Sequence, residues 1–251
     1  MIGIIFAAGI GTRLKPFTDF HPKALAEVGG KPILVRVTEK LLDAGARKII
    51  VNIHHFPEQI REYIAAQPFA DKIDFSDESA LLLDTGGALA KIARENGTMA
   101  SVKPDEPVVV HNADIYTDFP LREMLDAHTE SAADATILCD PGRSSSRHFL
   151  FDSAGVLRGW ENSEKNIVRP SGLDRAGLTA AAFGGVHILS RKTIERIAAT
   201  APAVLEPFSI TDWYIDNSSK YTIKAYTPQR AFKWFDIGTT EKLAKANEHF
   251  K

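Results

Sequence analysis

Short apolar runs alternate with longer amphipathic ones through the first half of the chain, and this alternation limits the fold more than any other feature. IGIIFAA begins at Ile2, KIIVNI at Lys48 and PVVVHNAD at Pro107. Between them lie KPILVRVTEKLLDAGA, PEQIREYIAAQ and TGGALAKIARENG. Strand, helix, strand, helix is the rhythm of a mostly parallel sheet covered on both faces. Ile33, Leu34, Val37, Leu41 and Leu42 recur at helical spacing, and Gly45 stands where that helix should end. The second half changes character. RHFLFDSAGVLRGWEN reads as a hairpin around Ser153, Ala154 and Gly155, and NIVRPSGLDRAG as a loop. LTAAAFGGVHILS is a strand whose glycine pair suggests a bulge or a close backbone approach to a ligand. Helices are expected over RKTIERIAATA, around SITDWYIDNS and after Thr239 or Thr240, with a strand at YTIKAYT. No repeat or long linker divides the chain. One domain over 1–251 is expected.

The stretch AAGIGTRLKPFTDFHPKAL, residues 7–25, leaves the first strand through two glycines and then sets Arg13, Lys15 and Lys23 along one loop. A Walker A loop needs a Lys-Ser/Thr pair behind its second glycine, which is absent. The dinucleotide fingerprint needs glycine where Leu14 stands, and a helix at once, whereas Pro16, Thr18, Asp19 and Pro22 prolong the loop. A nicotinamide site is thereby disfavoured. What remains is a loop whose amides near Gly9 and Gly11 can approach phosphate oxygens, with Arg13 and Lys23 as added cations, an arrangement suited to a triphosphate. Taken one at a time, these cations read equally as solvated charges on a turn.

With 30 Lys+Arg against 32 Asp+Glu, the charge balance argues against a surface that coats nucleic acid. The single Cys139 forms no internal disulfide, the apolar start lacks the basic leader of a signal peptide, and no run of about 18 apolar residues crosses a bilayer. A cytoplasmic protein without a membrane or nucleic-acid partner, a monomer or small homo-oligomer, is expected.

Asp114 closes VVVHNAD and so sits at a strand's carboxyl end, where open α/β sheets bind ligands; Asp236 has a similar place in WFDIG. Two carboxylates from distant segments can hold one Mg²⁺ together with water and phosphate oxygens. Each could equally cap a turn or helix. The glycines at 86 and 87 open an apolar helix whose amides could face a ligand, or could simply be capped.

Gly9-Ile10-Gly11-Thr12-Arg13-Leu14-Lys15-Pro16-Phe17-Thr18, followed by Pro22-Lys23-Ala24-Leu25 and Lys31-Pro32, resembles the sugar-phosphate nucleotidyltransferase family, also called nucleoside-diphosphate-sugar pyrophosphorylases. The resemblance continues through Glu78, Leu83 to Leu89, Val110 to Asp114, Phe183 to Val186 and Trp234 to Thr239. It implies a Rossmann-like mixed, mostly parallel sheet with helices on both faces and an inserted antiparallel sugar-binding region, residues 1–140 being mainly nucleotide-binding and 141–251 mainly sugar-binding with the C-terminal helix. It also implies attack by a sugar 1-phosphate on the α-phosphorus of a nucleoside triphosphate, releasing pyrophosphate. Arg13, Lys23 and Asp114 would be catalytic, and Asp114 and Asp236 would bind Mg²⁺. Ala8, Gly9, Gly11, Thr12, Glu78, Gly86 and Gly87 would hold the nucleotide; Asn112, Glu161, Asn162 and Gly185 would lie towards the sugar. The chain departs from the family where the usual Glu-Lys-Pro reads Trp160-Glu161-Asn162-Ser163-Glu164-Lys165, and where Ala113 replaces a common glycine. Compactness, the His54-His55 pair and LLDTGGAL look most like the branch containing N-acetylmuramate-1-phosphate uridylyltransferases of peptidoglycan recycling. Mannose- or heptose-1-phosphate guanylyltransferases are similar, and a non-catalytic sugar-nucleotide-binding regulator is the alternative from another class. A second activity is not expected.

Several eye-catching residues carry blander readings. His54 and His55, as strand neighbours, would point to opposite faces and so not share an ion. His111 reads as a satisfied histidine in the sheet, Cys139 as a small core residue, Trp213 and Tyr214 as core or contact aromatics, and Ser144 to Ser146 as a loop tip.

Overall fold

In the computed structural model, which describes residues 1–140 and 142–250, the first apolar run is the strand Ile2–Phe6 in the interior of a ten-stranded sheet. Ile49–Ile53 and Pro107–Asn112 flank it in parallel, and Ile73–Asp77 extends the parallel array beyond Ile49–Ile53. Thr179–Ser190 pairs antiparallel with Pro107–Asn112; Ala135–Asp140 and Ile223–Tyr226 follow on that side. The fold is mixed α/β with a largely parallel central sheet and helices on both faces.

Because successive strand residues point to opposite faces, each apolar run feeds two cores. Ile5, Val51 and Val109 pack towards the helices Ile33–Asp43, Pro57–Ala65, Leu121–Ser131 and Thr240–Glu248. Ile2, Ile4, Ile50, Val108 and Val110 pack towards Asp84–Glu95, Arg191–Thr200 and Ile210–Asn217. The helix Ile33–Asp43 ends where expected, with Gly45 at φ 99°. The predicted hairpin is present as Arg147–Phe151 against Leu157–Asn162.

Several short or weakly patterned elements have no counterpart in the sequence expectation. Ile73–Asp77 is an edge strand with polar residues between its apolar ones, Leu121–Ser131 is a helix, and Ile115–Thr117 is too short to show a period. In the stretch read as a loop, Ile167–Arg169 adds an edge strand to the hairpin. The glycine loop is built from three 3-10 turns, Thr12–Leu14, Phe17–Asp19 and Lys23–Leu25.

Thr179–Ser190 belongs to both parts of the sheet. Its start, Thr179 to Ala181, pairs with Arg147–Phe151; its end pairs with Pro107–Asn112. Its register against Ala135–Asp140 breaks between Phe183 and His187, around the glycine pair. Gly185 stands at φ 77°, and a Cβ there would meet Ile115 Cγ1 at 2.7 Å. The glycine at 185 thus admits the neighbouring backbone segment that carries Asp114.

Two histidines are fully buried on strands at the centre. His187 Nδ1 meets Tyr214 Oη at 2.5 Å, and His111 Nδ1 donates to Asn112 O at 2.8 Å. Neither Nε2 has a partner among the described residues, so His111 is only half satisfied. Burial pushes His187 down to about 3 and His111 to about 4. Both are neutral in the fold well below the unfolded value near 6.5, so their contribution to stability is present above that pH and is lost as pH falls. Urea titrations at pH 7.5, 6.5 and 5.5 should show the midpoint declining through the last interval; a flat profile from 6.5 to 5.5 contradicts the assignment.

Candidate active site

Ile2–Phe6 has the sheet's next strand in sequence, Ile49–Ile53, on one side and the later Pro107–Asn112 on the other, so strand order reverses here and a crevice opens at the carboxyl ends. The crevice is a cavity of about 420 Å³ lined by Ala8, Gly9, Gly11, Lys23, Asn52, Glu78, Asp84, Asn112 and Asp114, with apolar walls at Leu82 and Pro207.

The floor is a chain of buried polar contacts. Asn52 Oδ1 accepts from Ala7 N (2.6 Å) and Ala8 N (3.2 Å), and Asn52 Nδ2 donates to Glu78 Oε1 at 2.9 Å. Glu78 Oε2 accepts from Leu83 N at 3.0 Å. Burial raises the Glu78 carboxyl above its usual range despite these donors. Asn52 was not among the expected site residues. Its signal was a polar side chain inside IIVNI, a run otherwise apolar on both faces.

Gly11, at φ 70°, lets the loop double back. Thr18 Oγ1 donates to Gly11 O at 2.8 Å, and the stems of Thr18 and Lys23 lie directly beneath Gly11. Lys23 is therefore nearly buried along its length, and its Nζ emerges 2.6 Å from Asp114 Oδ2. Thr12 is exposed on the adjoining turn.

The structure brings the two expected metal carboxylates together. Trp234–Asp236 pairs antiparallel with Ile115–Thr117, Asp236 opposite Ile115, and Ile237 N donates to Asp114 O at 2.9 Å. Asp236 Oδ1, Arg13 Nη2 and Lys23 Nζ lie 2.7, 3.3 and 3.5 Å from the point a Cβ on Gly238 would occupy, so all three converge there. Burial works against the Asp236 carboxylate. Hydrogen bonds from Lys242 and the Gly238 amide, with the charges of Lys242 and Lys23, nonetheless hold its carboxyl below the usual range.

The donor set fits a hard divalent ion. Among the described residues no group of three His, Cys, Asp or Glu side chains is poised to hold a metal. Two carboxylates leave the remaining positions to water and phosphate oxygens, as Mg²⁺ accepts.

Other expected residues fall elsewhere. Gly86 and Gly87 do not line the cavity: both amides donate to Phe208 O, and a Cβ on Gly86 would strike the Phe208 ring. Glu161, expected towards the sugar, faces away from the cavity that its strand neighbours line. It pairs with His148, whereas Trp160 and Asn162 share the opposite face with Phe149 and Arg147; its carboxylate is held by Arg175 at 2.9 Å. Gly185 contacts Ile115 and Asn112. Asn162 is buried at the edge of a second cavity, about 590 Å³, and accepts from Lys165 N.

This second cavity shares Asp84 with the first and is lined by Arg143, Arg147, Phe149, Trp160 and Lys165. Arg143 and Arg147 flank the serines read as a loop tip, which hid them. Arg143 stacks over Trp234 at 4.3 Å and donates to Phe183 O at 2.5 Å; its charge is felt by Asp236. His54 and His55 lie just past their strand and contact Glu78 O and Thr18 O respectively. A separate cavity of about 430 Å³ between Ile33–Asp43 and residues 115–122 has its cations committed to backbone carbonyls: Lys40 to Thr117 and Phe119, Arg36 to Val28 and Gly29, Arg122 to Asp43.

With this geometry in place, the sequence model described as "Nucleotidyl transferase" matches residues 2–149. The chain belongs to the nucleotidyl transferase family. Among its relatives, the mannose-1-phosphate guanyltransferase of Hypocrea jecorina is 28% identical over 247 residues, 95% of this chain and 61% of that protein. The mannose-1-phosphate guanylyltransferase catalytic subunit beta of Drosophila pseudoobscura pseudoobscura is 31% identical over 77% of this chain and 49% of that protein. The chain thus spans about three fifths or less of the length of these two relatives. HddC from Yersinia pseudotuberculosis, solved in complex with GMP-PN, superposes with a TM-score of 0.70 at 25% identity over the whole of both chains. A UDP-glucose pyrophosphorylase complexed with UDP-glucose superposes at 0.74 and 21% identity, covering 100% and 98%, which bears on the fold alone. Among the described residues of this family member, no helix is long and apolar enough to cross a membrane.

Because Asn52 links the Ala7 and Ala8 amides to Glu78, Asn52→Leu should strand buried donors and a buried carboxylate. An unfolding free energy lower by about 2 kcal/mol or more is expected in urea, and a variant as stable as the parent would contradict the linkage.

Proposed function

We propose that this nucleotidyl transferase family member joins a nucleoside triphosphate to a sugar 1-phosphate, releasing pyrophosphate, and that both halves of the chain serve one active site. The observation that carries this reading is the convergence of Asp236, Lys23 and Arg13 beside Asp114, at the wall of the first cavity, which shares Asp84 with the second. The triphosphate would lie in the first cavity, its base towards Glu78, Leu82 and Pro207 and its phosphates towards Gly9, Gly11 and Lys23. The sugar 1-phosphate would approach from the second.

A phosphate oxygen of the sugar 1-phosphate forms the new bond to the α-phosphorus while the bond to the β-phosphate oxygen breaks. That nucleophile is already anionic, so no general base is needed. Lys23, pinned beneath Gly11, offers its ammonium to the α-phosphate. Arg13 and the loop amides receive the charge developing on pyrophosphate. A Mg²⁺ held by Asp114 and Asp236, when bound, would supply charge neutralisation to the reacting phosphates.

For the substrates, UTP and N-acetylmuramate 1-phosphate are the preferred pair. Arg143, Arg147 and Lys165 line the sugar cavity, and none makes an ion pair among the described residues. A sugar bearing a carboxylate besides its phosphate suits three such cations better than a neutral hexose phosphate does. The second reading is a mannose- or heptose-1-phosphate guanylyltransferase, favoured by the relatives' names and by the GMP-PN complex of HddC.

Pyrophosphate release with Mg²⁺, measured over UTP and GTP against N-acetylmuramate, mannose and heptose 1-phosphates, separates these readings; turnover of the mannose pair but not the muramate pair favours the second. Asp114→Asn should lower kcat on the order of a hundredfold or more with melting temperature maintained. For Arg147→Ala, KM for the carboxylate-bearing sugar phosphate is expected to rise about tenfold more than for a neutral one; equal increases would remove the charge argument.

A further inference from the structure

Each carboxylate at the reaction centre has a lysine of its own. Lys23 Nζ meets Asp114 Oδ2 at 2.6 Å, and Lys242 Nζ meets Asp236 Oδ2 at 2.5 Å, while Asp236 Oδ1 accepts from Gly238 N at 2.7 Å. Lys242 lies in the first turn of Thr240–Glu248. That helix is fixed at both ends: Thr239 Oγ1 accepts from Lys242 N, and Asn247 accepts from Gly29 N and donates to Glu27 O. The backbone of Lys242 is thus held while its side chain retains freedom.

The two lysines differ in that freedom. The Lys23 side chain is 11% exposed and confined beneath the glycine loop, whereas that of Lys242 is 50% exposed. Three cations, Arg13, Lys23 and Lys242, surround two carboxylates within a few ångströms. The cluster's charge is nearly compensated without an ion. A divalent cation between the carboxylates would add two charges to this volume, and repulsion at such range is relieved by moving the least confined ammonium. Incoming phosphates offer it an acceptor nearby.

The geometry points to Lys242 as a placeholder: it neutralises Asp236 in the metal-free protein and passes to a substrate phosphate when a divalent ion takes that carboxylate. The inference rests on Asp114 and Asp236 being metal ligands. Lys242 would then contact substrate only once ion and phosphate are both present, and the ion would pay for its place by displacing an ion pair. The shared ligand chemistry is a phosphate oxygen, either of the pyrophosphate leaving group or of the sugar 1-phosphate.

Mn²⁺ titrated into the substrate-free full chain, with free ion read by electron paramagnetic resonance, tests the first half. Lys242→Gln should bind Mn²⁺ about threefold to tenfold more tightly than the parent, Lys242→Arg should stay near the parent, and Asp114→Asn should bind far more weakly. At saturating Mn²⁺, calorimetry with pyrophosphate and separately with the sugar phosphate preferred in the turnover panel tests the second half. A severalfold loss in Lys242→Gln for one of them assigns the acceptor. Unchanged Mn²⁺ affinity in Lys242→Gln, alongside weakened binding in Asp114→Asn, overturns the placeholder while sparing the metal reading. Tighter Mn²⁺ binding with neither phosphate ligand weakened overturns the hand-over. Mn²⁺ affinity untouched by Asp114→Asn overturns the metal reading itself.

Discussion

A ladder of three residues on each side, Trp234–Asp236 against Ile115–Thr117, is the constraint on which the candidate site depends. It brings Asp236 beside Asp114 across more than a hundred residues of sequence, and like charges at that separation need compensation. Lys23, Lys242 and Arg13 supply it. The glycine loop is shaped accordingly: its turns bury the Lys23 stem so that the ammonium arrives at Asp114 from beneath. Gly185, with no side chain, leaves room for Ile115 to reach the ladder.

The strand Thr179–Ser190 joins the strands that carry the linings of the two cavities. One end is hydrogen-bonded to the strand that delivers Asn112, the other to the hairpin that delivers Arg147 and Trp160. The linings of both cavities are therefore carried on one hydrogen-bonded sheet, whose register shifts around Gly184 and Gly185. Arg143, on the wall of the second cavity, stacks on Trp234 and feels the charge of Asp236.

The buried parallel strands and amphipathic helices were legible because their periods repeat over enough residues: Ile2–Phe6, Ile49–Ile53 and Ile33–Asp43 needed no tertiary information. Ile115–Thr117 and Ile167–Arg169 were not, since a three-residue strand exists only through its partner. In the candidate site, the glycine loop and the two aspartates stood out by motif; Gly9, Gly11, Lys23 and Asp114 line the crevice, and Asp236 and Arg13 approach Lys23 near Gly238. Glu161 was misplaced because the resemblance marks a position but not a face, and strand alternation turned its side chain towards Arg175. Gly86 and Gly87 were misplaced because the segment that takes their amides, at Phe208, is over a hundred residues away. Asn52 and the arginines at 143 and 147 belong to no expected motif; Asn52 is marked only by its polarity within IIVNI, and the arginines only by the cavity wall they form.

The late position of Trp234–Asp236 also bears on how the protein is made. A nascent chain that has reached Arg230 already carries Asp114, Lys23 and every strand of the parallel array, yet Asp114 has no acidic neighbour with which to grip an ion. Vectorial synthesis thus leaves Asp114 paired with Lys23 alone, and the second carboxylate joins it only when nearly all of the chain has been made.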